Sequence, residues 1–165
     1  METSSTSEEK MRLTQKVIDE IQLAMTHTKM NGETNWKDGD EIDVCLGGTF
    51  AGDKFFNTYL FDKVVEKLDK GDYKLDRVYF NGQWNGREGS LHSDNCDITA
   101  LIYMSHYEYG WGGFTEILTQ PKPTLVYPIL NRLVIFPGSI LHKAYSFAYQ
   151  YCPIRTTLAF KINQK

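Results

Sequence analysis

The feature that most constrains this fold is a series of short β-rich runs that starts near residue 75. The runs are rich in β-branched and aromatic residues, and Asn-Gly, Gly-Gly and Pro-containing turns separate them. Strands this short, at this regular spacing, are typical of a sandwich or a small barrel. The predicted strands cover residues 75–80, 98–104, 113–119, 124–130, 133–136, 141–147 and 156–162.

The residues before this series favour helices instead. Residues 1–7 are rich in Ser and Thr and are expected to fray, and a capping box at 5–8 predicts a helix whose apolar positions recur every three or four residues. A loop and a short strand at 42–46 follow. Asp53 is then the predicted N-cap of a second helix, which Gly71 ends.

We therefore expect one domain over residues 1–165 that is mainly β with flanking N-terminal helices. A helical support region would span residues 8–70, and the β core would span residues 75–163. A chain of 165 residues is long enough to bury a core of its own.

Composition and charge exclude several classes of protein. The net charge of −3 argues against a general nucleic-acid binder, which needs a basic face. No apolar run is long enough to span a membrane, and the first residues lack the basic and apolar regions of a signal peptide. The three widely spaced cysteines (Cys45, Cys96 and Cys152) argue against a zinc ribbon or a disulfide framework. We therefore expect a cytoplasmic protein.

A His-x-Asp pair formed by His92 and Asp94 is the first candidate for metal chemistry. In an extended segment these two side chains project from the same face, which suits a two-point ligand for a divalent metal. The alternative is an ordinary loop His paired with an Asp. We expect Asp94 to face the surface, so that Asp94→Ala would leave the fold intact.

His142 is the candidate third ligand. It follows several predicted strands, and a rolled sandwich can bring distant strands to one edge. Two His and one carboxylate on one side of a metal form the facial triad of non-haem Fe(II) oxygenases, which leaves metal positions open for substrates. The alternative for His142 alone is a core or rim histidine.

Arg155 is the candidate site for an anion, because an Arg in an apolar run is costly to bury alone. Its planar fork matches a carboxylate. Thr157 would face the same side and could donate a hydrogen bond to the same group. Tyr103, on a predicted strand, could donate another. The alternatives are a surface Arg at a strand start and a core Tyr.

The order and spacing of these residues resemble a known family. Residues 77–94 are similar to the first metal-ligand segment of the 2-oxoglutarate and Fe(II)-dependent dioxygenases, with the prolyl 4-hydroxylase-like enzymes, including small bacteriophage versions, as the nearest branch. The similarity continues through residues 99–104, through 111–116 with a Gly-Gly turn, and through 131–142 with a Phe-Pro-Gly lead-in. It ends at residues 155–158 and so covers the predicted β core.

The resemblance implies a double-stranded β-helix, also called a jelly roll. It implies that His92, Asp94 and His142 hold Fe(II). With O2, the chemistry would be oxidative decarboxylation of 2-oxoglutarate to succinate and CO2, coupled to hydroxylation of an unactivated C–H bond. Ascorbate would be an accessory reductant, and a viral source would place the enzyme in the host cytoplasm.

The resemblance also implies how the co-substrate 2-oxoglutarate would bind. Its distal carboxylate would lie on Arg155, helped by Tyr103 and Thr157. Asn81 and Gln83 resemble a polar pair of the phage-type branch and would bind the keto-acid end or the prime substrate, although turn formation by Asn-Gly is an equal alternative.

Several other residues are candidates for lesser roles. Aromatic residues on predicted loops could line a substrate groove, although packing is their default role: Trp36, Trp84, Tyr107, Tyr109 and Trp111. Cys96 is interpreted as a bystander, and His27 and His106 as ordinary histidines. Lys143 is adjacent to His142, but its position is wrong for a carboxylate anchor.

The leading functional hypothesis is hydroxylation of a peptidyl prolyl residue or another protein side chain. One alternative is a hydroxylase of a free amino acid or another small metabolite. A different class of alternative is a non-catalytic jelly-roll binding module, in which the triad and Arg155 would be coincidental. A membrane partner is not expected, and a nucleic acid is disfavoured by the negative charge.

Overall fold

The computed structural model of the chain describes residues 46–148 and 154–165. The first predicted helix, the following loop with Trp36, and His27, Cys45 and Cys152 lie outside the described residues. The predicted strand at 42–46 meets them only at its last residue, where strand β1 begins. The described elements are β1 (Leu46–Thr49), a helical run α1 that is π-helical over Phe55–Leu60 and α-helical over Phe61–Val65, β2 (Tyr73–Gln83), β3 (Ile98–Tyr103), β4 (Thr115–Ile117), β5 (Thr124–Val126), β6 (Leu133–Pro137), β7 (His142–Ala144) and β8 (Arg155–Gln164).

The strands form two antiparallel sheets. The larger sheet has the order β1-β2-β8-β3-β6, and the smaller has the order β5-β4-β7. Side chains from both sheets line one cavity between them. Neighbours in each sheet are mostly distant in sequence, as the predicted rolled sandwich requires.

Alternation along β8 decides which side chains enter the cavity. Arg155 and Lys161 line it, whereas Leu158, Phe160 and Ile162 are fully buried on the opposite face of the sheet. Because successive residues of a strand point to opposite faces, one strand contributes to both the site and the core.

The helical run α1 packs on that opposite face. Phe56 of α1 stacks on Phe50 with 3.8 Å between ring centroids, and the Phe50 ring lies 5.9 Å from that of Phe80 on β2. The carboxylate of Asp53 accepts hydrogen bonds from the backbone N–H groups of Phe55 and Phe56, at 2.8 and 3.2 Å. These bonds satisfy donors at the helix start, as predicted for an N-cap.

Between the sheets, an apolar cluster closes part of the interior. Leu101, Ile117, Phe136 and Ala159 form its buried centre. Burial of large side chains of this kind stabilises a fold by roughly 1.5–3 kcal/mol each. In the described part of the chain, no helix has the length and apolar character needed to cross a membrane.

Strands of the smaller sheet are shorter than predicted, whereas β8 is longer. Gly112 and Gly113 have φ angles of 75° and 72°, outside the range for a strand, so β4 begins only at Thr115. The strand β8 extends in both directions because it pairs with β2 on one side and β3 on the other.

Candidate active site

Two distant histidines are brought together by the backbone. His92, in the β2–β3 loop, forms an isolated antiparallel bridge with His142 at the start of β7. The His92 N–H donates to the His142 carbonyl at 3.1 Å, and the reciprocal bond is 2.8 Å. The ring centroids are therefore only 4.4 Å apart, although 50 positions separate the residues in the sequence.

The predicted metal-ligand atoms converge. The Nε2 atoms of His92 and His142 lie 3.8 and 3.5 Å from the two Asp94 carboxylate oxygens, and the possible ligand atoms are all within 4.8 Å of one another. Each Nδ1 lies 2.9 Å from a backbone carbonyl, that of Ser90 or Ile140. Because a carbonyl only accepts, each Nδ1 carries the proton and each Nε2 presents its lone pair.

Electrostatics favour the forms of these side chains that bind a metal. Burial pushes the pKa of Asp94 upward, but hydrogen bonds from Lys161 and Thr99 and the Lys161 charge outweigh it, so the pKa lies below its ordinary value. Burial lowers the pKa of His142, more than the bond to the Ile140 carbonyl raises it. At neutral pH the site therefore combines a carboxylate with a neutral imidazole.

Lys161 is a site residue that sequence reasoning missed. Its ammonium group donates a hydrogen bond to Asp94 Oδ2, and the Thr99 hydroxyl donates to the same oxygen at 2.6 Å. The side chains of Lys161 and Asp94 are 3% and 6% exposed, so the expectation that Asp94 faces the surface was wrong. The sequence pattern contained this information. In a strand every second residue faces the same side, so a strand that places Arg155 and Thr157 on one face also places Lys161 there.

Arg155 lines the cavity and is not a surface residue. It is 1% exposed, and register pairs it with Gln83 on β2. Its guanidinium donates to the Gly113 carbonyl, to Gln83 Oε1 at 2.6 Å and to Thr115 Oγ1 at 2.8 Å. The carbonyl of the Gly-Gly turn therefore helps to fix the orientation of the Arg155 guanidinium. This hydrogen bond links the Gly-Gly motif of the sequence to Arg155.

Tyr103 and Thr157 differ in their access to the cavity. Thr157 lines it. Tyr103 is completely buried, is not among the described residues that line the cavity, and donates a hydrogen bond to Thr115 Oγ1 at 2.7 Å. Thr115, which also accepts from Arg155, does line the cavity. It is a second residue that sequence reasoning left without a role.

The polar pair before the ligand loop lies on the cavity face of β2. The predicted Asn-Gly turn at residues 81–82 was wrong, because pairing with β8 extends the strand to Gln83. Asn81 and Gln83 both line the cavity, opposite Thr157 and Arg155 in the β2–β8 register. Besides accepting from Arg155, Gln83 donates from Nε2 to the Ala144 carbonyl on β7 at 3.2 Å. Its side chain therefore bridges the two sheets beside the guanidinium.

The cavity itself has a volume of about 260 Å³. Histidine side chains and two cations line it together with neutral polar groups. A ligand with a carboxylate suits such a lining, because charge-assisted hydrogen bonds from Arg155 are stronger than neutral ones. The lining residues are Tyr79, Asn81, Gln83, Gly89, His92, Leu101, Thr115, His142, Ala144, Arg155, Thr157 and Lys161.

The predicted bystanders have other partners. Cys96 contacts the Ile98 carbonyl at 3.3 Å, and His106 lies 3.2 Å from the Glu108 carboxylate. Lys143 points away from His142 and forms an ion pair of 2.9 Å with Glu88. The aromatic residues proposed for a substrate groove and described by the structure are absent from the cavity lining: Trp84, Tyr107, Tyr109 and Trp111.

The donor set fits a divalent first-row metal. Two imidazole nitrogens and one carboxylate are the ligands of the facial triad, and Asp94 is held in place by the Gly138 carbonyl, which accepts its N–H at 2.7 Å. Gly138 also allows the β6–β7 turn to approach this loop, since a Cβ there would overlap the Cys96 carbonyl oxygen. The Phe-Pro-Gly lead-in thus supports the ligand loop sterically.

Sequence comparisons add little to this picture. No protein-family model matches the chain, and no curated protein matches it.

Solved structures, in contrast, match it clearly. A prolyl-4-hydroxylase from Pseudomonas putida has a TM-score of 0.65 at 16% identity, over 93% of this chain and 87% of that chain. A prolyl hydroxylase from Trichoplax adhaerens, in complex with a peptide fragment of the hypoxia inducible factor oxygen degradation domain, has a TM-score of 0.67 at 14% identity, over 92% and 78%.

A further match is an oxidoreductase of the 2OG-Fe(II) oxygenase family from Burkholderia pseudomallei, with a TM-score of 0.51 at 15% identity. It covers 64% of this chain and 49% of that chain, so the present chain spans about half of its length. These matches confirm the predicted fold class, a mainly β double-stranded β-helix. The chain has the fold of the 2OG-Fe(II) oxygenases, prolyl 4-hydroxylases among them.

Proposed function

We propose that this chain is an Fe(II)- and 2-oxoglutarate-dependent dioxygenase that hydroxylates a C–H bond and releases succinate and CO2. The observation that carries the proposal is the convergence of His92, Asp94 and His142 beside a cavity that is also lined by the buried Arg155. The fold shared with the 2OG-Fe(II) oxygenases supports the same class of chemistry. The alternative is a non-catalytic binding module, in which the triad and the buried guanidinium meet at one cavity by coincidence.

His92, Asp94 and His142 would hold the iron. Bound iron and O2 supply the oxidising power that no side chain has. The protein orients each imidazole through its Nδ1 bond to a backbone carbonyl, which keeps the Nε2 lone pairs directed at one point. Three protein ligands would leave other coordination positions of the metal open to the co-substrate and O2.

Arg155 would bind the distal carboxylate of 2-oxoglutarate. Its side chain is preorganised by Gln83 and Thr115, so little rotamer entropy is lost when an anion binds. Thr157 lies two residues after Arg155 on β8 and also lines the cavity. Its hydroxyl would donate a hydrogen bond to the same carboxylate. Asn81, on the facing position of β2, would contact the keto-acid end or the prime substrate.

A peptidyl prolyl residue, or another protein side chain, is the proposed prime substrate. Support comes from the neighbouring folds, one of which is a prolyl hydroxylase in complex with a peptide. The aromatic residues considered for a peptide groove do not line the described cavity, and their contact with a peptide stays a prediction. A free amino acid or small metabolite is the competing substrate class.

Succinate formation tests the proposal. Purified protein would be incubated under air with Fe(II), 2-oxoglutarate and ascorbate as the accessory reductant, with and without a panel of proline-containing peptides and free amino acids. We expect succinate that depends on Fe(II) and increases with one substrate, whose mass rises by one oxygen atom. Stimulation by a free amino acid but by no peptide would replace the protein-substrate proposal with the metabolite alternative.

His142→Ala is the decisive variant, and His106→Ala is its matched control. His106 is an exposed histidine paired with Glu108 and belongs neither to the triad nor to the cavity lining, so its loss should leave succinate formation unchanged. Loss of succinate in His142→Ala alone would support the triad. Equal succinate from both variants would remove His142 from the site. Absence of succinate and of Fe(II) and 2-oxoglutarate binding by the wild type, measured by calorimetry, would instead support the non-catalytic binding module.

A further inference from the structure

Lys161 is a buried cation in the cavity that the proposed reaction does not use. Its ammonium group contacts Asp94 Oδ2, and it lies 3.3 Å from the Thr99 hydroxyl. Only 3% of its side chain is exposed. A buried ammonium and a buried carboxylate each carry a large desolvation cost, and each offsets the cost of the other only while the pair is intact.

The two oxygens of the Asp94 carboxylate have different surroundings. Oδ2 is held by Lys161 and by the Thr99 hydroxyl, and it lies 3.5 Å from His142 Nε2. Oδ1 lies 3.8 Å from His92 Nε2. The carboxylate is therefore engaged by a fixed positive charge at one oxygen, beside the place where the three ligand atoms converge.

We infer that Lys161 is a positioning residue that supplies the counter-charge of Asp94 in the absence of metal and restricts metal binding to a single carboxylate oxygen, Oδ1. The inference rests on the proposed metal site. A divalent ion must then bind next to the Lys161 ammonium group, and like charges a few ångströms apart in a protein interior repel strongly. Lys161 would lower the affinity of the site for metal, and it would keep the ligand side chains in place when no metal is bound.

Removal of the Lys161 charge should change the stability of the metal-free protein and its metal affinity in opposite directions. In Lys161→Met, Thr99 still donates to Oδ2, so the carboxylate keeps an orienting bond while the repulsion disappears. We expect the EDTA-treated variant to melt at a lower temperature than the wild type, because Asp94 is left buried without its partner. We expect the same variant to bind Mn²⁺ at least tenfold more tightly.

The experiment measures melting temperature and Mn²⁺ affinity, neither of which needs turnover. Wild type, Lys161→Met and Lys161→Arg would be melted after EDTA treatment and titrated with Mn²⁺ by calorimetry. Lys161→Arg keeps the charge and should have nearly wild-type affinity. Lys165→Met is the matched control, since Lys165 directly follows the same strand and forms an exposed 2.9 Å ion pair with Asp72. It should change neither quantity.

Failure of Lys161→Met to fold without metal is covered by a second variant. Asp94→Asn/Lys161→Met removes both charges and should fold and melt at a higher temperature than Lys161→Met, because neither charge is left unpaired. Unchanged or weaker Mn²⁺ binding by a folded Lys161→Met protein would overturn this inference and leave the proposed metal site intact. Absence of Mn²⁺ binding by the wild type would instead overturn the metal site, and this inference with it.

Discussion

Arg155 and Gln83 occupy paired positions in the β2–β8 register, and a hydrogen bond of 2.6 Å joins Nη1 of the guanidinium to Oε1 of the amide. Both side chains are at most 2% exposed. A buried guanidinium that is already held in one rotamer is preorganised for an anion. The relationship explains why the polar pair before the ligand loop and the Arg at the far end of the sequence belong to one site.

Arg155→Ala should raise the KM for 2-oxoglutarate by about ten- to a hundredfold, since a hydrogen bond to a charged group is worth roughly 1.5–3 kcal/mol. Succinate formation at varied 2-oxoglutarate concentration measures this change. Arg77→Ala is the matched control, because Arg77 is an exposed arginine on β2 whose ion pair with Asp76 spans 4.0 Å. An unchanged KM in a folded Arg155→Ala protein would remove Arg155 from the co-substrate site.

Gln83→Met should act through Arg155. The volume of the side chain is nearly kept, but the guanidinium loses its bond to Oε1 and the bridge to the Ala144 carbonyl is lost. We expect a rise of about tenfold in the KM for 2-oxoglutarate, corresponding to ~1.4 kcal/mol, with kcat within a few-fold of wild type.

Gln164→Met, at an exposed position near the end of β8, is the control for Gln83→Met. A fall in kcat with an unchanged KM would show that Gln83 contacts the reacting groups and does not position Arg155.

Thr115→Val should impair co-substrate binding more than Tyr103→Phe does. The Thr115 hydroxyl accepts from both Tyr103 and Arg155 and lines the cavity, so its loss removes an acceptor from two buried donors. Loss of one such acceptor costs about 1–3 kcal/mol of folding free energy. Tyr103→Phe deletes only the donor behind Thr115.

Chemical denaturation and the KM for 2-oxoglutarate would be measured for both variants, with Thr124→Val at an exposed strand start as the control. A larger rise in KM for Tyr103→Phe than for Thr115→Val would favour the direct contact that the sequence predicted for Tyr103.

Gly138→Ala should weaken both the fold and metal binding. The added Cβ would overlap the Cys96 carbonyl oxygen, which is backbone and cannot move cheaply. Overpacking of this kind costs about 1–3 kcal/mol. The shift would also disturb the bond from the Asp94 N–H to the Gly138 carbonyl.

Thermal melting and Mn²⁺ calorimetry would measure the effects of Gly138→Ala. Gly89→Ala is the control for stability, because its Cβ would meet Gln83 Nε2 only at an ordinary 3.5 Å. Equal melting temperatures for the two variants would contradict the steric role of Gly138.

Local patterns predicted most of the architecture. The short alternating runs with glycine and proline turns predicted each described strand of the β core, because the period of two and turn chemistry are properties of neighbouring residues. The same local rule placed Asp53 at the helix start, where its carboxylate accepts two backbone N–H groups. Strand ends were less predictable, as β4 shows, because the φ angles of Gly112 and Gly113 depend on the contacts of the turn.

What the sequence by itself determined is the order and spacing of the candidate ligand residues, with His92 and Asp94 predicted on one face and Arg155 and Thr157 on another. Only the tertiary structure decided which other side chains meet them. Lys161 reaches Asp94 across 67 positions, and Thr115 reaches Arg155 across 40. Such contacts arise because β8 pairs with β2 and β3 and because the two sheets pack face to face. The alternation of side chains along a single strand does not specify either arrangement. The burial of Asp94 has the same origin, because solvent is excluded by strands that are remote in the sequence.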